Sequence, residues 1–398
     1  QWFALATIIQ STDKQPLFEL SKLGDVSVSN FHKTQMGIGL IELMISAVIS
    51  LILISAIVAL TVSSSAAYRT QTNHVRVQEQ GRFAITLITR DIRMAGYFGC
   101  IQSTTQLFNN LNIGDSGSLY DTSYPIEGFE QGGSTFEPTD ANVADLNILP
   151  GTDSITIRFS NISKSEELAS GSYGPSSTIK ANNTTTDWNF QLGSVVVLND
   201  CDKADVFQVT NNPSSHNLEH FASNHASAGE TTPGNIRTSL GGDTAAAYIG
   251  SGTVSGESQV SRLYAARYYV RYRNVNDPSS GIALYRNYIS QNGNVLSQEI
   301  VEGVENLQFL YGVDSDEDGI SNEYKKADSV SSDEWNNIVS VQVGIVVRSS
   351  KEYGLLVEQQ QSAGTEYETM DILGESWVLG NSSRYQRDLY TATVYLRN

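Results

Sequence analysis

GIGLIELMISAVISLILISAIVALTV, residues 37–62, decides how the rest of the chain is read. Residues 43–62 are almost wholly apolar, and no charged residue appears from Leu43 to Tyr68. At about 1.5 Å per residue, a helix of that length spans roughly the hydrocarbon core of a bilayer. Glu42 stands just ahead of this run. A lone carboxylate at such an edge is costly, so it calls for a partner or a function.

The spacing suggests the partner. If the chain is cut after Gly37, Ile38 becomes the first residue and Glu42 the fifth. The new α-amine and the carboxylate then lie about one helical turn apart. Between neighbouring subunits of a filament, one carboxylate neutralises another's amine inside an apolar core and sets the axial stagger. The segment resembles the type III signal of type IV pilins, which prepilin peptidase reads. Gly37 and Glu42 match that pattern, while Ile38 and Gly39 replace the usual Phe and Thr or Ser. The resemblance implies cleavage between Gly37 and Ile38, with N-methylation of Ile38. An ordinary signal peptide cut near Ser65-Ala66-Ala67 is the competing reading, but the apolar run is too long for one. Residues 1–34 are longer than a pilin leader usually is and are assigned no role.

Beyond the apolar run, Phe83, Leu87, Ile88, Ile92 and Ala95 recur at helical steps, with Arg82, Arg90, Asp91 and Arg93 mostly on other faces. This predicts an amphipathic continuation of the same helix, stopped by Gly96 and Gly99. Residues 101–150 read as loops with short strands. Strands are expected at 154–160, 194–200, 204–210, 259–273, 282–289, 305–313, 337–349 and 388–398. Val339, Val341, Val343, Ile345 and Val347 alternate, as do Tyr390, Ala392, Val394 and Leu396, which argues antiparallel sheet with one buried face. The polar stretches 211–257 and 350–386 read as surface loops.

The net charge is −18, and residues 1–37 hold equal numbers of acids and bases, so the remainder keeps all of it. General nucleic-acid binding is not expected of so acidic a chain, because phosphate contacts need Lys and Arg. No GxSxG, P-loop, GxGxxG or HExxH pattern is present, and GDSGS at 114–118 lacks a histidine block to serve it. No enzyme and no small-molecule substrate are expected. His216, His220 and His225 sit in a polar segment with no element to aim them, so solvated histidines are preferred to a zinc site.

RFAITLITRDIRMAGYFGC, LNDCDKADVFQVT, DSDEDGISNEY, WNNIVSVQVGIVVRS and YTATVYLRN occur in an order similar to the PilW family of type IV pilus assembly proteins. The resemblance implies an α+β fold: a long N-terminal helix, half transmembrane and half amphipathic, packed on a large antiparallel β-rich pilin-like domain. The implied plan is a leader over 1–37, a transmembrane or filament-core helix over 38–62, an amphipathic helix over 63–99 and a globular domain over 100–398. It further implies a minor pilin that primes pilus assembly at the tip. Its partners would be other minor pilins, the major pilin and prepilin peptidase. It would sit in the inner membrane with a periplasmic domain, then in the pilus. A type II secretion pseudopilin and a calcium-dependent adhesin with a pilin anchor are the rivals.

Periplasmic folding permits a Cys100–Cys201 disulfide, against the alternative of two buried thiols. Asp314, Asp316 and Asp318 alternate before Gly319. Such a loop aims hard oxygens at one cation, with the Ile320 backbone carbonyl as a further ligand. Lys325 occupies the position where an EF-hand has its Glu, so Glu323 or Asn322 is the substitute. Calcium is expected, against a solvated acidic turn, since three clustered carboxylates repel without a cation.

Overall fold

A computed structural model describes residues 39–101, 104–113, 118–130, 146–173, 178–182, 190–213, 216–222, 233–241, 248–249, 258–349, 369–378 and 385–396. The chain divides into two compact units, Gln1–Ser64 and Ser65–Asn398. Helix α1 runs Leu40–Met94 and contributes to both.

In the first unit every described residue is exposed, although most are Leu, Ile, Val or Ala. This stretch is long and apolar enough to cross a membrane. Its hydroxyls turn back onto the helix: Ser46 donates to Leu43 O, Ser50 to Ser46 O, Ser55 to Ile52 O and Thr61 to Ile57 O. From Leu43 to Val62 the surface is therefore apolar with its hydroxyls satisfied internally, as an environment without water requires.

In the second unit α1 buries Val77, Gly81, Ala84, Ile88, Asp91 and Ile92. The steps of three and four make one stripe. Two expectations fail here. Phe83 is 55% exposed, because it sits one position off the stripe that Ala84 occupies. Asp91, expected on the outer faces, is inside. The helix also ends at Met94 rather than at 99, and the Gly96 N–H bonds to Arg158 O across the next strand layer.

The strands begin with β1 (Leu107–Asn109), β2 (Ile126–Phe129), β3 (Ser154–Glu167), β4 (Ser172–Tyr173), β5 (Ile179–Lys180) and β6 (Val195–Asn199). They continue with β7 (Ala204–Gln208), β8 (Asn217–Leu218), β9 (Tyr248–Ile249), β10 (Gln259–Asn274), β11 (Asp277–Ile289) and β12 (Val295–Glu302). The last are β13 (Val304–Val313), β14 (Glu323–Lys325), β15 (Ile338–Arg348), β16 (Thr369–Ile372), β17 (Glu375–Val378) and β18 (Arg387–Tyr395). One sheet runs β1-β7-β6-β10-β11-β12, with β3 also on β10 and β2 on β3; a second runs β14-β13-β15-β18. Pairing in both is antiparallel except β1 with β7.

The main core joins α1 to both sheets: Ile88 and Ile92 share it with Ile155, Tyr268, Leu307 and Val343. Strand β6 is buried on both faces because Val195 and Val197 enter one cluster and Val196 and Leu198 another. That double burial is why the segment is uninterrupted valine and leucine. β18 alternates as expected, with Tyr390, Ala392 and Val394 turned inward. β15 does not keep one solvated face. Ile372 lies over it where Gly344 leaves no Cβ in the way. Ile372 belongs to the β16–β17 hairpin, which lies inside a stretch read as loop. The other such stretch, 211–257, contains β8 and β9.

Candidate assembly helix and cation loop

The cleavage residues Gly37 and Ile38 lie outside the described residues, as does His225. Glu42 heads α1, where its own N–H bonds to Gly39 O at 2.9 Å. Its carboxylate is exposed and makes no side-chain hydrogen bond among the described residues. A carboxylate in the first turn also lies favourably against the positive end of the helix dipole.

The opposite end of α1 carries the residue that the periodicity missed. Asp91 is 1% exposed. It accepts the hydroxyls of Tyr264 and Tyr268, each at 2.6 Å, and the Arg90 guanidinium at 3.0 Å. Arg286 in turn donates to Tyr264 Oη at 3.1 Å. Burial, with the Asp91 charge added, pushes the Tyr264 phenol up to about 12 and raises Tyr268 as well. Both tyrosines therefore stay protonated and serve as donors. The helix is held by small residues too: a Cβ at Gly81 would overlap the Tyr390 ring.

Cys100 and Cys201 form a disulfide with Cα atoms 4.5 Å apart across 101 positions of sequence. It ties the end of the helix block to the turn between β6 and β7. His220 is buried beside the Phe207 ring, with centroids 5.2 Å apart, and is thus no solvated loop residue.

The loop from β13 to β14 brings Asp314, Asp316 and Asp318 together, with one oxygen of each within 4.8 Å of the others. Asp314 accepts the backbone N–H of Gly319 at 2.7 Å and of Asp318 at 3.3 Å, and Asp318 accepts that of Ile320 at 2.8 Å. Gly319 takes φ +85 to close the turn. Burial works to raise the Asp314 carboxyl, but the N–H donors of Gly319, Glu317 and Asp318 and a bond to the Asp316 side chain bring it below the ordinary value. Asn322 Oδ1 is taken by Ser315 at 2.7 Å. Glu323 pairs with Lys325 at 2.8 Å and stands apart from the three aspartates. The three hard carboxylates fit a calcium ion by donor type; Glu323 joins them only by leaving Lys325.

A second acidic pair joins the buried Asp153 to the half-buried Glu130. Asp153 accepts the Phe309 N–H at 2.9 Å and Glu130 the Ala327 N–H at 3.2 Å. Burial raises both, and nearby Glu130 helps push Asp153 up to about 8. Lys326 acts against this, and it also pairs with Glu375 of the hairpin.

No curated protein and no solved structure matches the chain. A protein-family model, PilW, described as Type IV Pilus-assembly protein W, matches residues 267–398. The matched part starts within β10, takes in the cation loop and all of the four-stranded sheet, and leaves α1 outside. The family description is of pilus assembly, which implies contact with other pilus components, and the apolar helix is compatible with membrane anchoring. Joined to the apolar helix and the β-rich domain, the match supports assigning this chain to the PilW family of type IV pilus-assembly proteins.

Proposed function

We propose that the protein is a minor pilin that primes type IV pilus assembly at the pilus tip. One observation carries this reading: an exposed apolar helical segment headed by Glu42 precedes a stretch, residues 267–398, that matches the pilus-assembly family model. Prepilin peptidase cuts after Gly37 and frees the Ile38 α-amine, which is then methylated. Before assembly the helix lies in the inner membrane with its domain in the periplasm. On assembly it leaves lipid for the filament core, where small and apolar residues pack closely. Glu42 then meets the α-amine of a neighbouring minor or major pilin, and a charge pair in that medium fixes the stagger.

Asp314, Asp316 and Asp318 hold a calcium ion in the periplasm, with the Ile320 carbonyl as a further oxygen ligand. The ion cancels their mutual repulsion and stiffens the loop between β13 and β14.

The reading is tested by sequencing the N-terminus of the protein from membranes and by Glu42→Ala. The expected mature end is Ile38, and another end sinks the proposal. Glu42→Ala is expected to remove surface pili while leaving the melting temperature of the protein unchanged. Loss of protein secretion with pili intact would assign the chain to a secretion pseudopilus instead.

A further inference from the structure

Among the described residues, the edges of the two larger sheets are guarded in a recognisable way, with one exception. β1, β2 and β14 are only three or four residues long. β12 is longer, but it turns Ser297, Gln298 and Glu299 to solvent, and Glu299 pairs with Arg273 at 3.1 Å. Short length and charge are the usual protections against strand addition. β18 has neither. It is nine residues long, and from Leu389 to Tyr395 it reads LYTATVY, without charge, Pro or Gly. Among the described residues it pairs with β15 alone.

The ladder shows which groups face the open side. Ser349 N–H donates to Gln386 O and Leu396 N–H to Val339 O, each at 2.9 Å. The register between them is unbroken from Arg348↔Arg387 to Ser340↔Tyr395. Bonded pairs alternate in an antiparallel ladder. Asp388, Tyr390, Ala392 and Val394 therefore bond to β15. Leu389, Thr391, Thr393 and Tyr395 turn their N–H and C=O groups outward. Leu389 is 37% and Tyr395 62% exposed.

We propose that β18 is a docking edge that accepts an extended strand from a different pilus subunit. Where water is displaced, another backbone in β conformation matches four outward residues at this spacing. The flanking side chains are threonine, aromatic and aliphatic, so the incoming strand is uncharged and β-branched or aromatic on both faces. A second copy of this chain is disfavoured by charge, since each brings −18. The proposal rests on the pilus-assembly reading, and its test separates the two.

Residue-resolved hydrogen exchange on the full chain in detergent micelles is expected to alternate. Amides of Leu389, Thr391, Thr393 and Tyr395 should exchange roughly 100-fold faster than those of Tyr390, Ala392 and Val394. Slow exchange at all of them in dilute protein means that the chain covers its own edge, and protection that appears only on concentrating means a second copy; both overturn the proposal. In cells, Thr391→Pro removes an outward donor, which an edge strand tolerates. It should cut surface pili at least about tenfold with an unchanged melting temperature, whereas Ala392→Pro should unfold the sheet. Thr393→Lys, which leaves the backbone untouched, should repeat the loss and covers the case in which Thr391→Pro does not fold. Normal piliation in folded Thr391→Pro or in Thr393→Lys overturns the proposal. If Glu42→Ala still abolishes pili, the assembly reading stands without it; if Glu42→Ala is also piliated, that reading fails first.

Discussion

Glu42 and Asp91 sit on the same helix and share a carboxylate, yet they live in opposite surroundings. Asp91 has every donor it needs from Tyr264, Tyr268 and Arg90 within its own chain. Glu42 is exposed at the head of an apolar segment. The difference separates acids whose partners the fold supplies from acids that the proposed function gives to another molecule. Asp153, which accepts the Phe309 N–H, belongs with the first kind, and the proposed calcium ligands Asp316 and Asp318, which are exposed, belong with the second. A perturbation of the first kind should move stability, and one of the second kind should move binding or assembly.

The largest effect should come from the staple at the fold end of α1. Cys201→Ser opens a loop spanning 101 positions and should cost about 5 kcal/mol in denaturant unfolding by the loop-entropy argument. Asp91→Ala strands two buried hydroxyls and should cost about 3 kcal/mol by the same measurement. Glu42→Ala should stay within about 0.5 kcal/mol of the parent. If those two variants lose equal stability, the division between the acids is broken.

The pH dependence sharpens the comparison. In the folded state Asp153 keeps its proton up to about 8, whereas in the unfolded chain it releases it near the ordinary value of 3.8. The folded state therefore binds more protons between those limits, so stability is greatest below the lower one and falls as pH rises to the upper. Between pH 5 and 8 the loss should be on the order of 3 kcal/mol, and Asp153→Asn should flatten it. Glu130 is raised in the same direction and Lys326 opposes both, so Glu130→Gln should trim the slope without removing it. The smallest effect is expected from calcium. At 1 mM it should add about 1 kcal/mol if the loop binds like weak extracellular modules, and Asp316→Asn should abolish the gain.

Much of this arrangement was legible in the residues. An uncharged run of this length has few outcomes other than an apolar helix. The alternation over 388–396 announced the strand whose inner face meets α1. The cysteine pairing followed from compartment and the family blocks, and the structure contains it. What escaped depended on distant partners. Asp91 reads as a surface acid because the hydroxyls that accommodate it come from Tyr264 and Tyr268, 173 and 177 positions away. Phe83 reads as core because composition cannot show that the stripe passes through its neighbour Ala84. β12 was missed because an edge strand is polar at its centre for the reason that makes it a safe edge. The β16–β17 hairpin looked like loop because one residue, Ile372, carries its burial.

The contact between Tyr390 and Gly81 has a consequence for the order of events during folding. Tyr390 also reaches Val77 O, 313 residues back in the chain. The stripe of Val77, Ala84 and Ile88 thus shares a core with Val394 of β18. Long-range closure of this kind is slow. Until β18 lies down on β15, the folding domain presents its own helix-binding face as a sticky surface. Docking of β18 is therefore the step that commits this domain to its native state.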